Sequence, residues 1–131
     1  MERSAAGLAR LVPTIDVLAT SPLARAAESA DIVAAEYGSG VVTLDSLEPE
    51  RKPEEVVRWL VDQQRAHTVA LVGHEPQLST LVGYLLTERS ASFIDLKKGG
   101  ACLLDLADPP QPGGGTLHWL LRDNELRRLR D

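Results

Sequence analysis

Apolar residues recur along the chain with two different spacings. Intervals of three and four residues are typical of one helix face, and short apolar runs are typical of buried strands. The predicted helices cover residues 3–12, 22–37, 53–64, 76–87 and 124–130, and the predicted strands cover residues 15–19, 41–44, 68–72, 101–106 and 117–122. Helices and strands alternate up to residue 87, and the last two strands are consecutive. This order predicts an α/β fold with a mainly parallel sheet and an antiparallel C-terminal edge.

The segment between the last two strands is rich in proline and glycine. It reads Asp-Pro-Pro-Gln-Pro-Gly-Gly-Gly over residues 108–115, which predicts a loop between two hairpin strands. Gly38 follows the second helix, at a position where glycine commonly ends a helix. The length of 131 residues is that of one domain, so residues 1–131 are expected to form a single domain.

Composition narrows the classes of protein to which this chain can belong. A single cysteine, Cys102, excludes an internal disulfide and a four-cysteine zinc site. The 14 basic and 19 acidic residues give a formal net charge of −5, which disfavours a general nucleic-acid-binding protein. The longest uncharged apolar stretch, residues 76–87, is too short to span a bilayer. We therefore expect a cytoplasmic protein with no nucleic-acid or membrane partner, no metal and no cofactor.

Two strand-to-helix junctions have a similar pattern. Thr20-Ser21-Pro22 follows the first strand, and Gly73-His74-Glu75-Pro76 follows the third. Each proline lies where the first helical residue is predicted, and Ser21 suits the N-cap position. In a parallel sheet both junctions lie at the carboxyl edge, where helix N-termini offer free N–H groups to an anion such as phosphate. The alternative is that both are only efficient helix starts.

Arg25 favours the anion site over that alternative. A cation in the first turn of a helix opposes the helix dipole, at a cost of roughly 0.3–1 kcal/mol. An ion pair with Glu28, three residues along, would offset only about 0.2–0.5 kcal/mol. A guanidinium can bind a phosphoryl group through its planar fork, which would explain an arginine at this unfavourable position. Arg25 is therefore a candidate anion ligand.

His74 is the histidine whose predicted position suits a functional role. At the end of an apolar strand, His74 can donate a hydrogen bond to a phosphoryl oxygen or act as an acid or base. The alternative is that His74 has only a structural role in the loop. His67 precedes the same strand at the opposite edge, and His118 lies in the fifth strand. Three histidines on three separate elements have no metal-ligand spacing.

Together the two junctions resemble motifs of the histidine phosphatase superfamily. Residues 21–26, Ser-Pro-Leu-Ala-Arg-Ala, with Glu28-Ser29-Ala30, are similar to its Ser-Pro-x-x-Arg-Ala-x-x-Thr-Ala motif, with Ser29 in place of threonine. Residues 71–76, Leu-Val-Gly-His-Glu-Pro, resemble the motif of its second histidine. The motif spacing and residues 95–101, Asp-Leu-Lys-Lys-Gly-Gly-Ala, are most similar to small SixA-type phosphohistidine phosphatases. The resemblance covers nearly the whole chain and implies a phosphoglycerate-mutase-like three-layer sandwich.

The resemblance also implies roles for individual residues. Arg25 and His74 would be catalytic, and both would bind phosphoryl oxygens together with Ser21. The substrate would be phosphohistidine, on a protein, or another small phosphomonoester, and hydrolysis would pass through a phosphohistidine intermediate. The nucleophile in this superfamily is the histidine of an Arg-His-Gly motif on the first strand, and this motif is absent from the sequence.

The missing motif leaves several hypotheses open. A truncated phosphatase domain, inactive without its nucleophile, is the one we favour because both remaining motifs are intact. A non-catalytic, phosphate-binding regulatory module of the same fold is the alternative. A nucleotide-binding module is disfavoured by the lack of a Gly-x-Gly-x-x-Gly or Walker pattern.

The missing strand also has a structural consequence. The resemblance places it beside the two strands that carry the motifs, so its absence would leave backbone groups unpaired along residues 15–19 and 68–72. Those strands would then pair directly, accept another segment or chain, or remain exposed. We expect a marginally stable chain that self-associates through the exposed sheet edge.

Overall fold

Helices and strands alternate along the chain in the computed structural model, which describes residues 1–63 and 65–130. The elements are α1 (Glu2–Leu11), β1 (Val17–Thr20), α2 (Ala24–Tyr37), β2 (Val42–Thr43), a 3₁₀ turn (Asp45–Leu47), α3 (Pro53–Val61), β3 (Val69–Val72), α4 (Gln77–Thr87), β4 (Ala101–Asp105), β5 (Thr116–Leu121) and α5 (Asp123–Arg130). Every predicted element is present. The helix predicted over residues 53–64 ends at Val61, and Gln64 lies outside the described residues. As predicted, Gly38 ends α2 in the left-handed conformation, with φ of 64°.

The strands form a parallel sheet and a separate antiparallel hairpin. The parallel sheet has the order β2-β1-β3, and its register places Thr20 of β1 opposite Val72 of β3. The hairpin pairs β4 with β5, with Leu103 opposite Trp119. The α/β fold class with an antiparallel C-terminal edge is thus confirmed.

Of the three outcomes that the sequence left open for residues 15–19 and 68–72, the structure has direct pairing of the two strands. β1 pairs with β2 on one side and directly with β3 on the other. Direct pairing satisfies backbone groups that water cannot reach between two apolar strands. β3 keeps one free edge within the described part of the chain, and its four residues are only half-buried for that reason.

Helices cover both faces of the parallel sheet and complete three layers. Leu18 of β1 packs on one face with residues of α1 and α2, and Ala19 packs on the other face with residues of α3 and α4. Leu104 and Leu106, in and just after β4, join the second of these cores and so attach the hairpin to it. Within the described residues, no helix has the length and apolar character needed to cross a membrane.

Contacts between α1 and α5 join the two ends of the chain. Ser4 Oγ donates a hydrogen bond to Asp123 Oδ1, and Arg10 donates to the backbone oxygen of Arg130 at 3.3 Å. Gly7 of α1 lies directly against the backbone of Leu126, the buried residue of α5. The C-terminal helix is therefore part of the layer that α1 forms.

Asp16 joins the chain segments that lead into β1 and β3. Its Oδ2 accepts hydrogen bonds from the backbone N–H groups of His67, at 2.8 Å, and Thr68, at 2.9 Å. These bonds, above all the one from Thr68, lower the pKa of the Asp16 carboxyl below its usual value. The carboxylate therefore stabilises the folded state above that usual pKa, and the contribution is lost as the pH falls through the lowered one.

We expect Asp16→Asn to lower the melting temperature at neutral pH, because a neutral amide oxygen is a weaker acceptor for two N–H groups. The difference from the parent chain should shrink as the pH falls below about 4, where the unfolded-state carboxyl becomes protonated. Thermal melts between neutral and acidic pH measure this difference. Asp31→Asn, at an exposed α2 carboxylate with no side-chain hydrogen bond in the described residues, is the control. An Asp16→Asn deficit that is constant with pH would contradict the prediction.

Candidate functional site

A hydrogen bond joins the two similar junctions. The Ser21 backbone N–H donates to the Val72 oxygen at 3.0 Å, which continues the β1–β3 pairing to the end of both strands. Ser21 Oγ and His74 Nε2 are 2.8 Å apart. The two motifs that lie 53 residues apart in the sequence are therefore in direct contact at the carboxyl edge of the sheet.

Both helices begin later than the sequence predicted. The first helical residues are Ala24 and Gln77, so Pro22 and Pro76 precede the helices instead of beginning them. Leu23, not Ser21, is the N-cap of α2, and Ser21 Oγ accepts a hydrogen bond from the Leu23 N–H at 3.2 Å. Because Ser21 still pairs with β3, its backbone cannot begin the helix. Direct phosphate binding by Ser21 stays a prediction.

The start of α2 presents unoccupied hydrogen-bond donors. Arg25 is its second residue and is exposed, and in the described part of the chain its guanidinium has no ion pair or hydrogen bond. The ion pair with Glu28 that was the alternative is not formed. Within residues 1–63 and 65–130, no hydrogen bond occupies the N–H groups of Ala24 and Arg25 either. A cation and two free amides thus lie together where the helix dipole is positive.

The start of α4 differs, because the residues just before it accept hydrogen bonds from two of its N–H groups. The Leu78 N–H donates to the His74 oxygen at 2.8 Å, and the Ser79 N–H donates to Glu75 Oε2 at 3.0 Å. The Ser79 hydroxyl also donates to Glu75 Oε1 and accepts from the Leu96 N–H at 3.2 Å. The prediction that both helix N-termini offer free donors therefore holds better for α2. The contribution of the α4 junction is the imidazole of His74.

Sequence analysis missed two residues that shape this edge. Glu75 connects the start of α4 to the segment before β4 through the buried Ser79. Gln77 Nε2 donates to the backbone oxygens of Ser46, at 3.1 Å, and Arg51, at 3.2 Å, which holds the 46–51 loop beside α4. The pairing of Glu75 with Ser79 was detectable, since a carboxylate just before a helix commonly accepts from an N–H group of the first turn. The Gln77 contacts were not, because their partners are backbone oxygens distant in sequence.

Three further residues, His67, His118 and Lys97, form no side-chain hydrogen bond with either junction within the described residues. His67 precedes β3 at the amino edge, as predicted, and His118 is an exposed β5 residue 3.6 Å from Asp105. Lys97 is exposed and forms an ion pair with Asp95 at 2.8 Å. A cavity of about 650 Å³ opens at the amino edge, lined by residues that include Asp16, Val61 and Arg65. It contains none of the predicted site residues and lies at the wrong end of the sheet for them.

Cys102 lies in β4 and is half-buried. Burial raises the pKa of its thiol to about 11, and the nearby negative charge of Glu75 adds to the effect. The thiol therefore stays protonated at neutral pH and is a poor nucleophile or metal ligand.

Comparison with known proteins relates the fold to two solved structures. No protein-family model matches the sequence, and no curated protein is significantly similar to it. The structure of the protein histidine phosphatase SixA complexed with tungstate superposes with a TM-score of 0.77 at 21% identity, over 95% of this chain and 80% of that one. An Agrobacterium tumefaciens protein assigned as phosphohistidine phosphatase SixA gives a TM-score of 0.71 at 21% identity, over 92% and 77% of the two chains. The chain therefore has the SixA fold that its two sequence motifs predicted.

Proposed function

We propose that this chain binds the phosphoryl group of phosphohistidine, or of another small phosphomonoester, at the carboxyl edge of β1 and β3. The observation that carries the proposal is the 2.8 Å contact between Ser21 Oγ and His74 Nε2, which unites the two motifs. Arg25 on the neighbouring helix turn, exposed and without an ion pair among the described residues, supplies the charge. That Arg25 and His74 face one pocket is part of this proposal.

The chemistry of these groups suits a tetrahedral oxyanion. The Arg25 guanidinium and the free amides at the start of α2 are donors and lie at a positive helix end. The imidazole of His74 supplies a further donor, so charge that develops on a transferring phosphoryl group would be stabilised from two elements. The SixA structure of the same fold was solved with tungstate, another tetrahedral oxyanion.

We also propose that residues 1–131 hydrolyse a phosphomonoester slowly or not at all. The sequence has three histidines and no Arg-His-Gly motif. His74 Nε2 is already bonded to Ser21, His67 precedes β3 at the opposite edge, and His118 faces Asp105 of the hairpin. Covalent catalysis requires a nucleophile aligned with the phosphorus, which none of them supplies. This fits a phosphatase-family domain that is inactive without its nucleophile. A phosphate-binding regulatory module of the same fold stays the alternative, and a cytoplasmic location remains the accompanying prediction.

The proposal is tested by titrating the ¹⁵N-labelled chain with inorganic phosphate and, separately, tungstate. We expect amide shifts concentrated at residues 21–26 and 73–74. The α5 helix is an internal control, because its last turn carries Arg127, Arg128 and Arg130 at the C-terminal end of a helix, without the site geometry. The same preparations are then incubated with a phosphohistidine peptide, and release of phosphate is measured.

Two results would contradict the proposal. Amide shifts as large on α5 as at the junctions would indicate attraction to positive charge in general. Rapid phosphate release that survives the replacement of His67 and His118 would show that a nucleophile operates at a place we have not identified.

We further propose that the free edge of β3 supports self-association. The oxygens of Thr68 and Val72 bond to residues 17 and 21, so Thr68 and Val72 direct their backbone groups toward β1. By alternation, Val69 and Leu71 direct theirs to the unpaired edge, which is able to add a strand. Amide exchange that slows with protein concentration at Val69 and Leu71, together with a rising sedimentation coefficient, would support this. A monomer at all concentrations would contradict it.

A further inference from the structure

We infer that Ser21 is a positioning residue that sets the tautomer of His74, and that Nδ1–H of His74 is therefore the donor offered to a bound phosphoryl group. The assignment of the tautomer rests on the geometry around Ser21 alone. Its consequence for ligand binding rests on the proposed function.

The hydroxyl of Ser21 has few choices of partner. Ser21 is fully buried, with 0% of its surface exposed, so no bulk water reaches the hydroxyl. Its oxygen already accepts the Leu23 N–H at 3.2 Å. The hydroxyl hydrogen needs an acceptor, and within the described residues the one nitrogen or oxygen in contact besides Leu23 is His74 Nε2 at 2.8 Å.

The two neutral forms of His74 differ in whether the Ser21 hydroxyl hydrogen has an acceptor. If Nε2 carried the proton, it would donate to Ser21 Oγ, and the serine hydrogen would be buried without an acceptor, which is costly. If Nε2 is unprotonated, it accepts the serine hydrogen and every polar atom of the pair is satisfied. The buried serine therefore favours the form with the proton on Nδ1.

The other ring nitrogen is available to a ligand. Nδ1 of His74 has no hydrogen-bond partner in residues 1–63 and 65–130. The buried side-chain atoms without a partner do not include it, so Nδ1 is not fully buried. It is therefore open to solvent. An Nδ1–H group is a donor that a phosphoryl oxygen accepts, whereas an unprotonated Nδ1 would repel it. Ser21 thus acts on the ligand through His74.

The experiment is a ¹H–¹⁵N correlation through two- and three-bond couplings, which identifies the protonated nitrogen of each imidazole. The spectrum is recorded at about pH 8, where the neutral tautomers are compared, and we expect the Nδ1–H form for His74 in the parent chain. In Ser21→Ala the ratio of Nδ1–H to Nε2–H forms should fall about tenfold. His67 and His118 are internal references in the same spectrum and should not change. Ser21→Thr keeps the hydroxyl and should restore the parent pattern.

A second readout connects the tautomer to the ligand. Affinity for inorganic phosphate should fall about tenfold in Ser21→Ala and recover in Ser21→Thr. A parent chain with Nε2–H at His74 would overturn the inference, and this observation needs no variant to fold. A different result is an Nδ1–H tautomer together with His74 resonances that do not respond to phosphate. That result would overturn the proposed phosphate binding and the role of Nδ1–H as a donor to the ligand, while the tautomer assignment would stand.

Discussion

Arg25→Ala is expected to weaken the binding of phosphate and tungstate about ten- to a hundredfold, since hydrogen bonds to a charged group contribute roughly 1.5–3 kcal/mol. The fold should not suffer, because Arg25 is exposed and has no side-chain partner in the described residues. Removing a cation from the start of α2 should even stabilise the chain slightly, by about 0.3–1 kcal/mol. Calorimetric titration and thermal melts measure the two effects, which have opposite signs.

Arg58→Ala is the matched control for this experiment. Arg58 is exposed, lies in the last turn of α3, and forms no ion pair in the described part of the chain. The end of α3 lines the cavity at the amino edge, so the substitution removes the same charge far from the two junctions. Arg25→Lys keeps the charge without the planar fork and should have an intermediate affinity. Equal losses in Arg25→Ala and Arg58→Ala would mean that net charge alone attracts the anion.

Gly7→Ala is expected to destabilise the fold by about 3 kcal/mol, at the upper end of what overpacking costs. A methyl group on Gly7 would overlap the backbone oxygen of Leu126 and would lie 2.6 Å from its carbonyl carbon. The clash is with backbone atoms, which cannot change rotamer as a flexible side chain can, so α1 and α5 would have to separate. The better helix propensity of alanine, worth about 1 kcal/mol, does not offset this clash.

The matched control for Gly7 is Gly40→Ala. A methyl group there meets nothing within 4 Å, and the backbone of Gly40 is outside the left-handed region. We expect this variant to melt at the parent temperature or slightly above it, because alanine reduces the freedom of the unfolded chain. Gly7→Ala should melt roughly 10 °C lower. A similar melting temperature for the two variants would show that α5 does not pack tightly on α1.

The helices and strands were predictable because local patterns determine them. An apolar stripe on each helix and a short apolar run in each strand identified all ten elements, and Gly38 marked the end of α2. Their ends were less predictable. Pro22 and Ser21 are good helix-start residues, yet α2 begins at Ala24, because Ser21 still pairs with Val72 of a strand that the local sequence does not include.

The site was predictable in its main residues and not in its contacts. Ser21, Arg25 and His74 were recognisable from two motifs at strand ends. The sequence treated the two junctions as equivalent. Within the described residues, the structure leaves the N–H groups of Ala24 and Arg25 free at α2, whereas His74 and Glu75 accept from two N–H groups of α4. This asymmetry depends on how side chains and backbone groups share hydrogen bonds, which residue types alone do not specify.

The sequence by itself determined the fold class, the order of the elements and which residues follow the strands at the carboxyl edge. Each of these depends on patterns within about ten residues, the range over which a hydrophobic face and a turn are encoded. Only the tertiary structure decided that β1 pairs directly with β3, that the hairpin of β4 and β5 is a separate sheet, and that Ser21 contacts His74. These depend on contacts between distant segments, where pairing of buried backbone groups and packing of apolar faces act together across the whole chain.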